Sequence, residues 1–201
     1  MRISWIGAQG ASEAAVLETL GLEAMPDTNP GQWSDAEYSV RTFSNGWVVI
    51  VGWDSLNLET DLPLVAEATP GLVVGCHATT VVMYSEVRAY QDGKPLWSAV
   101  HDPDEDADDL AVTGEPPARL DELLAAAKDQ QNGRDEVDFI FDVPIDLAAH
   151  LTGFHPNEDD PRDWIALRRR RAVSRKSAGG SEGASSEGPL AALLRVFGLK
   201  R

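Results

Sequence analysis

The chain is short of cysteine, of histidine and of long apolar runs. It has 201 residues, of which one is cysteine and four are histidine. The single cysteine, Cys76, cannot form a disulfide within the chain, and a lone cysteine in an apolar strand is usually a small buried hydrophobic residue. No segment approaches the length of a membrane span, and the first residues lack the apolar core of a signal peptide. We therefore expect a cytoplasmic protein in a reducing compartment.

The motifs of common catalytic and nucleotide-binding classes are also missing. Gly7 and Gly10 belong to neither a G-x-x-x-x-G-K-[ST] nor a G-x-G-x-x-G pattern, and no serine lies in a G-x-S-x-G turn. Cys76 and His77 are neighbours on a predicted strand, so their side chains should point to opposite faces and form no Cys–His dyad. The sequence predicts no nucleotide site and no cofactor.

Basic residues are scarce over most of the chain. The net charge of −16 for the whole chain hides how acidic residues 1–167 are, because the last residues are basic. Residues 1–167 hold 8 Lys and Arg against 31 Asp and Glu, a balance of −23, whereas residues 168–201 hold 9 against 2, a balance of +7. An acidic body of this kind should repel nucleic acid and anionic membranes. The basic end could be attracted to either of these, to an acidic partner, or to the body itself.

The histidines are too dispersed to predict a metal site. His77, His101, His150 and His155 show neither H-x-x-x-H nor H-E-x-x-H spacing. His101 ends a predicted strand beside Asp102, and a hydrogen-bonded His–Asp pair could act as a general base or as half of a metal site. The simpler interpretation is a polar strand end that meets solvent, because no nucleophile or third ligand lies at a fixed spacing.

An acidic segment follows His101. Four of its aspartates alternate like the carboxylates of a calcium-binding loop, namely Asp102, Asp104, Asp106 and Asp108. Such a loop needs glycine at its sixth position and glutamate at its twelfth, where this chain has Ala107 and Thr113. We therefore expect a solvated acidic loop, which could also dock a basic protein.

Strand propensity and turn signals indicate an α+β fold with a mostly antiparallel sheet of about six strands covered by helices. The turn residues Asn45-Gly46 and Asp92-Gly93 predict two hairpins. The run 47–53 lacks the alternation of a half-exposed strand, which predicts a central strand buried on both faces. Strands are expected at 2–7, 38–43, 47–53, 72–78, 81–90 and 96–100, and helices near 12–20, 60–68, 116–132 and 142–151.

Several turn and aromatic motifs resemble those of a family of uncharacterised bacterial proteins. They include Leu20-Gly21-Leu22, NGW at 45–47, DGKPLWS at 92–98 with His101-Asp102 after it, GEPP at 114–117, and the segment from FDVP at 141–144 to LTGF at 151–154. The resemblance covers the chain up to its basic end and implies no activity. Small acidic α+β bacterial proteins include toxin-neutralising immunity proteins, so an immunity-like role is an expectation by analogy.

Composition divides the chain into three parts. Residues 1–165 are expected to form the acidic domain, and residues 166–189 a basic and then Gly/Ser-rich disordered linker. The basic cluster of that linker is Arg168, Arg169, Arg170 and Arg171. Residues 190–201 predict a short amphipathic helix that orders only against a partner or a membrane surface. Its apolar face consists of Leu190, Leu193, Leu194 and Phe197.

Two functions fit these patterns. The first is a non-catalytic protein-binding module, an adaptor or immunity-like protein, which binds a protein partner through its acidic surface and carries a tethered C-terminal recognition peptide. The second is a metal-assisted hydrolase that uses His101 and the carboxylates near Asp102. The sequence favours the first, because no complete catalytic set is present. Peripheral membrane contact by the basic end ranks below protein docking, and the oligomeric state stays open.

Overall fold

A computed structural model describes residues 2–26, 36–106, 108–132, 134, 137–157 and 164–170. Within these ranges the chain forms an α+β fold. The strands are β1 (Arg2–Gln9), β2 (Leu22–Ala24), β3 (Tyr38–Thr42), β4 (Trp47–Trp53), β5 (Leu72–Thr79), β6 (Tyr84–Gln91), β7 (Lys94–His101), β8 (Ala111–Gly114) and β9 (Ile165–Arg169). The helices are α1 (Glu13–Leu20), α2 (Asp61–Ala68), α3 (Arg119–Gln131) and α4 (Asp142–Thr152).

All nine strands belong to one sheet with the order β2-β9-β3-β4-β1-β5-β6-β7-β8. Every pairing is antiparallel, which confirms the predicted fold class. The predicted number of about six strands is wrong, because the sequence pattern does not predict β2, β8 or β9. These strands have 3, 4 and 5 residues, too few to display a period-two alternation, and they lie at or next to the edges of the sheet.

Helices pack on both faces of the sheet and produce two separate cores. One core joins α1 and α2 to the sheet through Leu20, Leu62 and Val65. The other core joins α3 and α4 to the opposite face, where Trp5 packs edge-to-face on Phe154 with ring centroids 5.4 Å apart. A central strand covered on both sides must be apolar throughout, which is why 47–53 shows no alternation. The prediction of a doubly buried central strand is confirmed, since β4 lies between β3 and β1 and all but its last residue are buried.

The two predicted hairpin turns are also confirmed. Asp92 and Gly93 join β6 to β7 with φ values of 50° and 76°, as a two-residue turn with both central residues left-handed requires. At Asn45-Gly46, the Phe43 carbonyl accepts the N–H of Gly46 at 3.0 Å, which closes the turn between β3 and β4. These local signals fix which strands are neighbours over the middle of the sheet.

The predicted boundary between domain and linker at 165/166 is wrong, because β9 continues to residue 169. Leu167 is fully buried, and the Arg169 Nε donates to the Tyr38 hydroxyl at 2.9 Å. Arg168 Nε donates to Glu23 Oε1 at 2.8 Å, and the backbone N–H of Arg170 donates to the Gly21 carbonyl at 2.8 Å. The composition of this segment resembles a linker because its arginines lie on exposed strand positions around one buried leucine.

The remaining sequence predictions for the basic end lie outside the described residues. These include the disordered linker beyond residue 170 with Arg171, and the amphipathic helix with Leu190, Leu193, Leu194 and Phe197. Among the helices that are described, none is both long enough and apolar enough to cross a membrane.

Candidate binding surface

The structure buries His101 completely and pairs it with Asp138, not with Asp102. The His101 Nε2 atom lies 2.8 Å from Asp138 Oδ2, while Asp138 Oδ1 accepts the backbone N–H groups of Ile140 and Phe141 at 3.1 Å each. The pair therefore ties the end of β7 to the start of α4. The expected solvent contact of His101 is wrong, and so is its pairing with Asp102, because adjacent residues on a strand point to opposite faces.

The burial of His101 weighs against its role as a general base. A general base must come within hydrogen-bond reach of the proton that it removes, and a fully enclosed imidazole cannot approach a substrate. Asp102 lies on the surface, where its Oδ1 accepts the backbone N–H of Asp104 at 3.1 Å. Over the part of the chain that the structure describes, no three His, Cys, Asp or Glu side chains are placed to hold a metal ion.

A row of polar side chains crosses β1, β5 and β6 on the side of the sheet where α1 and α2 pack. Ser4, His77 and Glu86 are directly opposite one another in the strand register, and Ser4 Oγ lies 2.8 Å from His77 Nδ1. Arg88 donates to Glu86 Oε2 from Nε at 2.8 Å and from Nη2 at 2.7 Å. The Nη1 atom of Arg88 lies 2.7 Å from Glu59 Oε1. Sequence reasoning missed this row, because its members are separated along the chain and meet only through strand pairing.

The row borders a cleft of about 310 Å³ beneath the loop between β4 and α2. Burial lowers the pKa of His77 below its usual value, which leaves the imidazole neutral near pH 7. Burial, together with the Glu86 carboxylate, raises the pKa of Tyr84 to about 12. The cleft therefore presents neutral hydrogen-bonding groups beside carboxylates that are already bound to arginine.

Ser4, His77 and Glu86 do not form a working hydrolase triad. In such a triad the acid orients the histidine and the hydroxyl is open to substrate. Here Ser4 is only 2% exposed, and the Glu86 carboxylate is occupied by Arg88. The row is better explained as a satisfied polar network that lets buried polar groups lie on a sheet face.

The helical layer ends before the last strands of the sheet. A methyl group added at Gly75 on β5 would lie 2.7 Å from Leu62 of α2, so this helix rests directly on the strand. Among the described residues beyond β5, the same face of the sheet is exposed or half-buried across β7 and β8 and, apart from the buried Glu86, across β6. We call this surface the open face, and it consists of Arg88, Ser98, Val100, Ala111 and Thr113.

The acidic loop, residues 102–109, borders the open face where β7 leads into β8. Its carboxylates organise its own backbone: Asp106 Oδ1 accepts the N–H of Asp108 at 2.9 Å, and Asp109 Oδ1 accepts the N–H of Leu110 at 2.8 Å. The Leu110 N–H, assisted by the Lys128 ammonium 3.2 Å away, holds the pKa of Asp109 below its usual value. Asp104, Asp106 and Asp108 are exposed. The described residues of the loop thus present a solvent-facing group of negative charges, three of which are bound to the loop backbone.

The acidic loop and the open face also share a hollow. Its volume is about 220 Å³, and it is lined by Val100 and Ala111 of the open face and by carboxylates of the loop. Sequence reasoning identified the loop from its charge, but the hollow arises only because β8 folds back beside β7.

Comparison with protein-family models finds no match, and comparisons with curated proteins and with solved structures find none. The resemblance to uncharacterised bacterial proteins stays a prediction that rests on the turn and aromatic motifs.

Proposed function

We propose that the protein is a non-catalytic protein-binding module of the cytoplasm, an adaptor or immunity-like protein that holds a basic partner on its acidic loop. The observation that carries the proposal is the acidic loop itself. Six carboxylates lie within residues 102–109, beside a sheet face that no described helix covers. Three of them accept backbone N–H groups of the same segment, namely Asp102, Asp106 and Asp109.

Two physical consequences support this role. Carboxylates that the loop backbone already holds lose little conformational entropy when they bind, so more of the interaction energy appears as affinity. Exposed like charges also steer a partner of opposite charge, and they discriminate against acidic ligands such as nucleic acid. The −23 balance of residues 1–167 extends the same attraction to longer range.

We also propose that the basic end of the chain makes a second contact with the partner or with a membrane surface. The peptide 190–201, with Leu190, Leu193, Leu194 and Phe197 on one face, would add a tethered hydrophobic contact to the partner or to a membrane surface. Arg168 and Arg169 contribute less than the sequence suggested, because both already bind groups of the domain.

The alternative of a metal-assisted hydrolase has weaker support. It requires an accessible base beside metal ligands, and the burial of His101 against Asp138 weighs against that arrangement.

The test compares two charge-neutralised variants of the full chain. The loop variant D104N/E105Q/D106N/D108N removes four exposed carboxylates, while its oxygen acceptors can still cap the loop backbone. The control variant E18Q/E37Q/E67Q/D92N removes four exposed carboxylates elsewhere and has the same net charge.

Each variant is cross-linked in a lysate of the source organism at low and high salt, and captured proteins are quantified by mass spectrometry. We expect the wild type and the control to capture the same basic protein, more strongly at low salt, and the loop variant to lose it. Equal capture by the loop variant would refute the proposal.

A further inference from the structure

We infer that the partner binds by adding a strand to β8, and that the added strand is a basic extended segment which also contacts the acidic loop. The inference rests on the proposed function, because the acidic loop supplies the charge that selects the segment. It names the mode of binding and the chemistry of the bound sequence.

β8 is the last strand in the order of the sheet, and one of its edges pairs with no described strand. Among the residues that the structure describes, β8 pairs only with β7, in a register that runs from Trp97↔Gly114 to Val100↔Ala111. All four of its residues are exposed. In an antiparallel strand alternate residues direct their N–H and C=O groups to opposite sides, so half of those groups in β8 point away from β7. Unpaired backbone groups of this kind are a template for another strand.

The other edge of the sheet, formed by β2, differs from β8 because charged side chains protect it. Strand β2 carries Glu23, which is bonded to Arg168, and the Leu22 carbonyl accepts Arg170 Nε at 3.0 Å. Charged residues along an edge are a common device against unwanted strand pairing. β8 has the sequence Ala-Val-Thr-Gly and carries neither charge nor proline. Among the described residues, only the shortness of β8 limits pairing along its edge.

The side chains around β8 indicate the sequence that would fit. Val112 is 44% exposed, and it lies on the opposite face of β8 from Ala111 and Thr113, so an apolar side chain is available on one side of this edge. Leu110 alone separates the acidic loop from Ala111, the first residue of β8. A strand that alternates basic and apolar residues would satisfy both features.

The charge of the chain favours a partner protein over a second copy as the occupant. Pairing two copies through β8 would bring two acidic loops together, each with six carboxylates, on chains of net charge −16. Repulsion between like charges opposes that dimer, whereas a basic strand reduces the charge of the loop.

The experiment uses the full ¹⁵N-labelled chain and two synthetic heptapeptides. One peptide alternates lysine and valine, and the other alternates glutamate and valine. With saturating lysine peptide, we expect amide hydrogen exchange to slow by about tenfold or more at alternate residues of β8, either 111 and 113 or 112 and 114. Resonances of the acidic loop should shift as well, and the glutamate peptide should produce neither effect.

Two matched variants locate the site. Val112→Lys replaces the exposed apolar contact of β8 with a cation at the edge that the basic strand would join, and it should abolish the exchange protection. Ile165→Lys changes an equally exposed residue, 42% against 44%, on β9 near the opposite edge and should leave the protection unchanged. Both positions are at the surface, and the amide spectrum of each variant verifies that it is folded.

Four results would overturn the inference. Shifts confined to the acidic loop, without protection in β8, would mean that the peptide docks by electrostatic attraction alone. The cross-linking experiment would then decide the proposed function separately. Absence of any effect of the lysine peptide, or equal protection by the glutamate peptide, would remove the basic strand as the ligand. Protection in β8 without peptide, with a concentration-dependent sedimentation coefficient, would identify a second copy as the occupant.

Discussion

Individual residues show why burial decides the role of each polar or apolar side chain. Val49 and Val112 are the same amino acid, but the first is fully buried in β4 and the second is 44% exposed on β8. His101 and His77 differ similarly, because one is enclosed with a carboxylate and the other lines a cleft. Residue type alone could not have separated these roles.

Val49→Asp is expected to lower the free energy of unfolding by about 3–5 kcal/mol, because it places an unpaired carboxylate among packed methyl groups. The control is Val81→Asp at the turn between β5 and β6, where the valine is 82% exposed and a charge stays in water. Urea unfolding of both variants measures the difference. A Val49→Asp variant as stable as the control would mean that β4 is not the centre of the core.

The lowered pKa of His77 predicts a pH-dependent stability. The folded protein binds a proton at His77 less readily than the unfolded chain, so the unfolded state holds more protons as the pH falls below the usual histidine pKa of about 6.5. This contribution to stability is present above that pH and is lost as the pH falls. His77→Gln should flatten the dependence measured by denaturant titration between pH 7.5 and about 5.

The control for that titration is His150→Gln, at an exposed position in the last turn of α4. If His77→Gln and His150→Gln have the same pH profile as the wild type, protonation of His77 is not coupled to folding.

At the level of elements, glycine determines where β8 ends. Gly114 has φ of 69°, and a Cβ at this position would lie 2.2 Å from the Leu96 carbonyl oxygen. Backbone at the end of β8 therefore approaches β7 more closely than any side chain allows. After Glu115 come two prolines at 116–117, which limit the strand to four residues.

Gly114→Ala is expected to reduce stability by about 3 kcal/mol or more, since the methyl group meets backbone and not a movable side chain. Gly46→Ala is the comparison, because Gly46 also has positive φ, 86°, but no atom lies within 4 Å of the added Cβ. Strain alone should cost that variant about 1–2 kcal/mol. Thermal or urea unfolding ranks the two, and an equal loss would show that β8 can move away from β7.

For the molecule as a whole, the position of β9 sets the limit of the folded domain. Strand β9 pairs with both β2 and β3, and it carries the buried Leu167 between them. The compact unit consequently extends to Arg170 and not to the predicted boundary at residue 165.

Two truncations test that limit. A chain of residues 1–170 keeps β9, and we expect it to unfold cooperatively. A chain of residues 1–164 leaves β2 and β3 without their shared neighbour, and we expect a markedly lower melting temperature or a loss of cooperative unfolding. Equal melting temperatures by circular dichroism would show that β9 contributes little to the domain.

The sequence by itself determined the local elements. Hairpins at Asn45-Gly46 and Asp92-Gly93, the doubly buried run of β4, and the acidic loop all follow from residues close together in the chain, because turn geometry and burial period are local properties. Charge likewise predicted an acidic body with a basic end.

Only the tertiary structure decided how distant segments meet. The short strands β2, β8 and β9 exist because neighbouring strands supply their hydrogen-bond partners, and four isolated residues such as Ala111–Gly114 carry too little pattern to predict this. The pairing of His101 with Asp138, 37 residues away, and the alignment of Ser4, His77 and Glu86 depend on strand register and on the docking of α4. Register and docking are set by burial of the whole core, which no single segment of the sequence encodes.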